Sequence, residues 1–228
     1  MSSLAVRLND VRMRMARAAQ HSRRDGVGMV AVTKTVATGI IAEAIALGLT
    51  DFGENRVHEA RPKIEVFPAV EWHFIGRLQT NKEKDVVGRF KLIHSLDRWR
   101  LAEALQQEAQ AQNVQVSVLI QVNLAGEGQK GGISPVELDD FLLAATDLPR
   151  VRVEGLMAIP PYTADPEEAR PYFREMFRLF SKCRMPGGAM KLLSMGMSND
   201  FEAAIEEGAN LIRVGSLLFD REKYSQEE

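Results

Sequence analysis

The sequence has a single cysteine, Cys183, so no disulfide can form within the chain, and no Cys/His spacing matches a zinc site. That fits a reducing cytoplasm. No run approaches the roughly 20 apolar residues needed to cross a bilayer, so a membrane partner is not expected. Charge of one sign is missing too. The 29 basic and 31 acidic side chains leave a formal net charge of −2, which sets up no field to draw nucleic acid. The expected partner is a small molecule or another protein. No GxGxxG follows the first predicted strand, as a dinucleotide-binding open sheet would need. The Gly-rich stretch Gly126–Gly132 lacks the GxxxxGK[ST] spacing of a nucleotide loop.

What is present is alternation. Leu4, Leu8, Val11 and Met15 recur at helical spacing among Arg7, Arg12, Arg14 and Arg17, which predicts an amphipathic helix over residues 1–24. An Arg-rich start also suits an organellar presequence, but Asp10 is out of character for one. Eight short β-rich runs follow, at 28–34, 51–54, 71–75, 92–95, 114–123, 151–158, 191–195 and 211–218, with helical patterns between them. Eight βα repeats in 228 residues predict a single (β/α)₈ barrel over 28–219 with a tail at 220–228. The doubly wound open sheet is the runner-up. Thr38 is placed to cap one helix and Gly48 to end it. Ser134-Pro135-Val136-Glu137 and Asp165-Pro166-Glu167-Glu168 both read as capped helix starts. In this architecture Gly126–Gly132 becomes a loop over the barrel mouth.

Barrel proteins place their chemistry at the C-terminal ends of the strands. There, Val30-Ala31-Val32-Thr33 leads into Lys34. A lysine at the rim of a dry cavity can act as an imine-forming nucleophile, and one that snorkels into solvent does no chemistry. Residue type alone leaves both open. Met197-Ser198-Asn199 runs into a helical pattern, and Gly215-Ser216 interrupts the last strand. Backbone N–H groups there would favour an anion. Arg213 shares a face with Gly215 by period two. It needs either a bound ligand or an internal ion pair with an acid such as Glu54. His73 and His94 end different predicted strands and are placed to meet at the mouth, with no carboxylate spacing that points to a metal. Arg77, Lys82 and Lys84 read as a solvated basic face. Met185, Met190 and Met195 read as core filler.

Six blocks taken together carry a resemblance. They are Val32-Thr33-Lys34-Thr35; Phe52-Gly53-Glu54-Asn55; Trp72-His73-Phe74-Ile75-Gly76 with Leu78-Gln79-Thr80-Asn81-Lys82; Gly155-Leu156-Met157-Ala158; Gly196-Met197-Ser198; and Arg213-Val214-Gly215. In order and spacing the chain resembles the pyridoxal-phosphate homeostasis protein family, whose fold is similar to the N-terminal barrel of bacterial alanine racemases. The resemblance implies that Lys34 carries pyridoxal 5′-phosphate (PLP) as a Schiff base and that Asn55 approaches the cofactor. It implies a phosphate cradle of Met197, Ser198, Gly215 and Ser216, with Arg213 on the pyridine nitrogen. Thr33 stands where a serine is common in that family, and the Gln129-Lys130-Gly131-Gly132 segment has Gly where many relatives carry Ser.

A guanidinium donates and cannot accept the proton that a carboxylate would help place on the ring, so the ring is a weak electron sink. The racemases add a tyrosine base from a second domain, which is not expected here; Tyr162, Tyr172 and Tyr224 read as ordinary tyrosines. The expected function is therefore a monomeric cytoplasmic PLP carrier in vitamin B6 homeostasis. Its partners are PLP and PLP-dependent apoenzymes. A racemase-like enzyme using the same lysine is the alternative, and a cofactor-free Schiff-base aldolase is a third reading.

Overall fold

The alternating pattern resolves, in a computed structural model describing residues 2–22, 26–126, 131–183 and 190–219, into eight parallel strands. These are β1 (Gly28–Val32), β2 (Asp51–Glu54), β3 (Glu71–Phe74), β4 (Leu92–Leu96), β5 (Val116–Val122), β6 (Val151–Ala158), β7 (Leu192–Ser194) and β8 (Leu211–Val214). They close in sequence order, with β1 paired to β2 and also to β8. The helices are α1 (Ser3–His21), α2 (Thr38–Ala46), α3 (Val57–Val66), α4 (Glu83–Val86), α5 (Trp99–Ala111), α6 (Leu138–Ala145), α7 (Arg170–Lys182) and α8 (Phe201–Glu206). The expected barrel with an N-terminal helix is the fold observed, and the open sheet is excluded by the β1–β8 pairing.

Period two along each strand splits the core into two layers. Val30, Leu92, Leu119, Met157 and Leu211 fill the lumen. Phe52, Phe74, Ile93, Ile120, Ile212 and Val214 belong to the second layer, continuous with helix residues such as Ile41, Leu105 and Phe173. α1 buries Leu4, Leu8 and Val11, and Ser2 Oγ accepts from Ala5 N–H at 3.1 Å to cap it. Arg14 pins α1 to α8 through Glu202 at 2.6 Å, its guanidinium 4.9 Å over the Phe201 ring.

Helix starts differ in detail from the sequence reading. Ala37, not Thr38, caps α2, and no side chain bonds there. Gly48 does end that helix, at φ 84°. Its N–H bonds Ile45 O and Leu49 N–H bonds Ala44 O, the paired bonds of a Schellman stop. Glu137 reaches back to Ser134 N–H at 3.3 Å as expected, but Ser134–Glu137 forms a turn and α6 starts only at Leu138. Asp165 caps a short 3₁₀ turn, Pro166–Ala169, that feeds α7. The last strand is shorter than predicted. Leu218 and Phe219 N–H both bond Gly215 O, so Gly215–Leu218 coils into a turn whose Leu218 carbonyl accepts from Arg7 Nε at 2.7 Å.

The tail 220–228 with Tyr224, the loop residues 127–130 and Met185 lie outside the described residues. No described helix is long and apolar enough to cross a membrane.

Candidate functional site

Lys34 is held by a turn that the strand ladder hands over to. Thr33 N–H still bonds Gly53 O across the β1–β2 edge, and Val36 N–H then folds back to Thr33 O at 2.9 Å. Lys34 is half-buried at the second position of that turn, and Thr35 follows at φ 62°. A β-branched residue in the left-handed region is strained by about 1–3 kcal/mol, which persists only where the surroundings over-determine it. Here they do. Thr33 Oγ1 donates to Glu54 Oε1 at 2.7 Å, and Lys63 Nζ donates to both Thr33 O and Glu54 Oε1 at 2.7 Å.

This buried knot corrects one reading of Arg213. Glu54 points outward to α3 and pairs with Lys63, so it is not the partner of Arg213 in the lumen. Burial pushes the Glu54 carboxyl up, and the Lys63 ammonium opposes that shift. Sequence reasoning missed Lys63. The signal was available: Ala60, Lys63, Ile64 and Phe67 occupy one helical face, where a lysine among apolar residues calls for a buried acid.

β8 ends beside β1. Val30 pairs with Arg213 and Ala31 with Val214, and a Cβ built on Gly215 would lie 3.2 Å from Val32 Cβ. The N–H groups of Gly215 and Leu217 converge on Ser198 Oγ, at 3.2 and 3.5 Å. Two backbone donors and a hydroxyl thus meet at one point, the kind of nest that favours an anion. The donors come from the β8 turn rather than from α8, whose opening N–H of Phe201 is taken by Met197 O. Met197 N–H itself donates to Asp200 Oδ1 at 2.6 Å. Ser216 is exposed on the same turn.

Arg213 is 4% exposed and donates through Nη1 to Ser194 Oγ at 2.6 Å and through Nη2 to Ala158 O at 3.1 Å. Burial lowers its pKa to about 10, against the favourable charge of Asp200, so it stays a cation at neutral pH. Asn55 follows β2, half-buried in the lining of a cleft with Arg56 and Arg77, and its Oδ1 is a buried acceptor with no partner. An orphan acceptor, gathered N–H donors and a β8 backbone that approaches Val32 closely at Gly215 are what a polar, anionic ligand such as PLP would complete. The residues fit that group.

The expected meeting of His73 and His94 occurs, but below the mouth. Their rings bond inside the barrel, His73 Nδ1 to His94 Nε2 at 2.9 Å. No group of three metal-binding side chains gathers among the described residues. Arg77 and Lys82 line a cleft of about 1100 Å³ beside Asn55, together with Arg56, Arg61 and Arg98. Its cations are paired on their own side, Arg56 with Glu59, Arg61 with Glu65, Lys82 with Asp85 and Arg98 with Asp97. The cleft contains none of Lys34, Ser198 and Arg213.

If the nest holds a phosphate, Ser198→Ala should weaken PLP retention roughly 10-fold by removing one charge-assisted hydrogen bond. Gly215→Leu should weaken it further, since the added side chain crowds Val32 and fills the space beside the nest. Equilibrium titration of both variants checks this, and unchanged affinity in the pair would move the anion site elsewhere.

Comparison with known proteins follows the same line. The family model described as alanine racemase, N-terminal domain, matches residues 6–222. The pyridoxal phosphate homeostasis protein of Aquifex aeolicus (strain VF5) is 46% identical over 223 residues, covering 96% of this chain and 98% of that protein. Its Escherichia coli (strain K12) counterpart is 38% identical over 233 residues, covering 99% and 100%. PipY of Synechococcus elongatus PCC7942, solved with PLP bound, superposes with a TM-score of 0.84 at 34% identity, covering 95% of this chain and 100% of that one. The alanine racemase of Clostridium difficile 630 shares the fold, with a TM-score of 0.69 at 16% identity over 93% of this chain and 56% of its own.

Proposed function

Because the chain belongs to the family of pyridoxal phosphate homeostasis proteins, we propose that it binds PLP at the barrel mouth through a Schiff base on Lys34 and serves homeostasis of that cofactor without appreciable turnover. The observation behind this reading is a convergence at one barrel edge. The Lys34 turn, the Ser198-centred N–H pair and the buried guanidinium of Arg213 all sit where β1 meets β8. PLP, when bound, supplies an aldehyde for imine formation and a pyridine ring that can withdraw electrons.

The chain's own groups determine how much of that chemistry is used. Lys34 Nζ would hold the aldehyde carbon from the edge of a dry interior. The Ser198 nest would hold the phosphate. Asn55 would offer its amide to the ring. Arg213 would face the ring nitrogen as a cation that only donates, so it would place no proton there and leave the ring a poor sink. A bound aldehyde is thereby kept from stray amines and remains exchangeable. The same reading takes PLP-dependent apoenzymes as recipients, the cytoplasm as the compartment, a monomer as the working form and residues 1–228 as one binding unit.

The test is exchange of a substrate proton. With PLP and L-alanine in deuterated water, the chain should show no α-proton exchange above that of free PLP. Exchange at an enzymatic rate, lost in Lys34→Ala, would replace the carrier reading with a racemase-like one.

A further inference from the structure

Below Arg213 the lumen carries four polar side chains, Ser194, His94, His73 and Asp51, that none of the proposed cofactor contacts requires. In an interior otherwise filled by Val30, Leu92, Leu119, Met157 and Leu211, five strands point one polar group each toward the next. Arg213 Nη1 meets Ser194 Oγ at 2.6 Å, and Ser194 Oγ meets His94 Nδ1 at 3.1 Å. His94 Nε2 meets His73 Nδ1 at 2.9 Å, and His73 Nε2 meets Asp51 Oδ1 at 3.0 Å. His73 is 3% exposed, while His94 and Ser194 are fully buried. Asp51 begins β2, so this line of contacts runs from the mouth to the N-terminal face of the barrel.

Donor and acceptor chemistry gives the chain a direction. A guanidinium can only donate and an ionised carboxylate can only accept. With one proton on each imidazole, His73 therefore carries it on Nε2 for Asp51 and accepts on Nδ1, His94 donates from Nε2 and accepts on Nδ1, and Ser194 Oγ receives from Arg213 and gives its own hydrogen to His94. One tautomer of each imidazole completes the chain, and every link points away from the mouth.

We propose that Ser194, His94 and His73 are positioning residues that hold the Arg213 guanidinium for its ligand through this one-way chain. The proposal rests on the reading of Arg213 as a cofactor contact.

The charged groups around the chain agree with this polarity. At the N-terminal face, Asp51 is flanked by Lys91 at 3.3 Å, and Lys91 by Glu71 at 3.9 Å. The His73 bond holds the Asp51 carboxyl well below its ordinary range, so the terminal acceptor stays ionised. Burial, with the charges of His73 and Arg213, holds His94 well below the ordinary imidazole value, so the link at the centre is neutral. At the mouth, Asp200 is the carboxylate whose charge acts on Arg213. β1, β5 and β6 contribute Val30, Leu119 and Met157 to the same lumen.

Nitrogen-15 NMR of the imidazoles in the cofactor-free chain tests the direction without any ligand. His94 should show a protonated Nε2 and an accepting Nδ1, and His73 a protonated Nε2 and an accepting Nδ1. A His94 found with its proton on Nδ1 would overturn the chain. PLP affinity tests the hold. Ser194→Ala should bind PLP roughly 10-fold more weakly, and Ser194→Thr, which keeps the hydroxyl, should restore the affinity. A wild type that binds no PLP would sink the cofactor reading while leaving the tautomers to be judged by NMR. A wild type that binds PLP with Ser194→Ala matching it would sink the positioning role alone.

Discussion

Lys34→Ala is expected to give a folded chain that takes no borohydride-trapped label from PLP. In the wild type, reduction should fix one PLP to the peptide containing Lys34, read by mass, and remove a visible yellow absorbance. Removal of this side chain should cost little stability, about 1 kcal/mol or less, because Lys34 is half-buried on a turn whose fixed points are its neighbours. The turn bonds Val36 N–H to Thr33 O, with Thr33 anchored in turn by Glu54 and Lys63. None of these anchors uses the Lys34 side chain. Labelling at Lys63 or any other lysine with Lys34 silent would refute the assignment.

The second large effect is on stability. Lys63→Met should destabilise the fold by about 3–5 kcal/mol, because it leaves the Glu54 carboxylate buried without its cation. Glu54 is fully buried, Lys63 is 8% exposed, and Glu54 Oε2 already has no partner. For a chain of this length that loss corresponds to a melting temperature roughly 10 °C lower. Glu54→Leu with Lys63→Met should recover most of it. Thr33 O keeps its bond from Val36, and Thr33 Oγ1 keeps a weak one to Gly53 O at 3.4 Å.

The pH dependence has a definite sign. Glu54 already has a raised carboxyl, and losing Lys63 raises it further. The folded variant then binds a proton that the unfolded chain releases near 4.5, the ordinary glutamate value. Stability therefore falls as pH rises from there through the folded value. The deficit against wild type should be smaller at pH 5 than at pH 8 in thermal melts. Equal deficits at both would show that Glu54 is not the group left stranded.

How much of this was legible follows from what periodicity can report. Alternation placed all eight strands, and the bounds of β2 and β6 agree with the sequence reading residue for residue. Strand ends were overestimated where an apolar run continues into a turn. Leu217 and Leu218 read as strand but coil after Gly215, because hydrophobicity records burial and not whether the backbone still has a ladder partner. Period two put Arg213 and Gly215 on one face, and both lie toward β1. It does not report height within the barrel. Leu92, not His94, is the β4 residue paired with His73, and the barrel's stagger brings the two imidazoles together below the mouth. The chain from Asp51 to Arg213 spans five strands, so no local window contains its logic. The Glu54–Lys63 pair was closer to view, only nine residues apart, and was hidden because a strand's outward face was not matched to the following helix.

The pairing of the first strand with the last also orders events during synthesis. Lys34 leaves the ribosome early, but the edge it needs is β8, whose register with β1 runs from Gly28–Leu211 to Ala31–Val214. Closing so distant a contact is entropically costly and slow, and domains generally fold as units once their partners are available. The turn after β8 is also latched by Arg7, from a helix made before any strand. If Lys34 and the Ser198 nest hold the cofactor as proposed, a nascent chain carries the amine long before it carries the nest for a phosphate. Stable cofactor capture would then be a property of the finished molecule, and half-made chains would compete poorly for the supply.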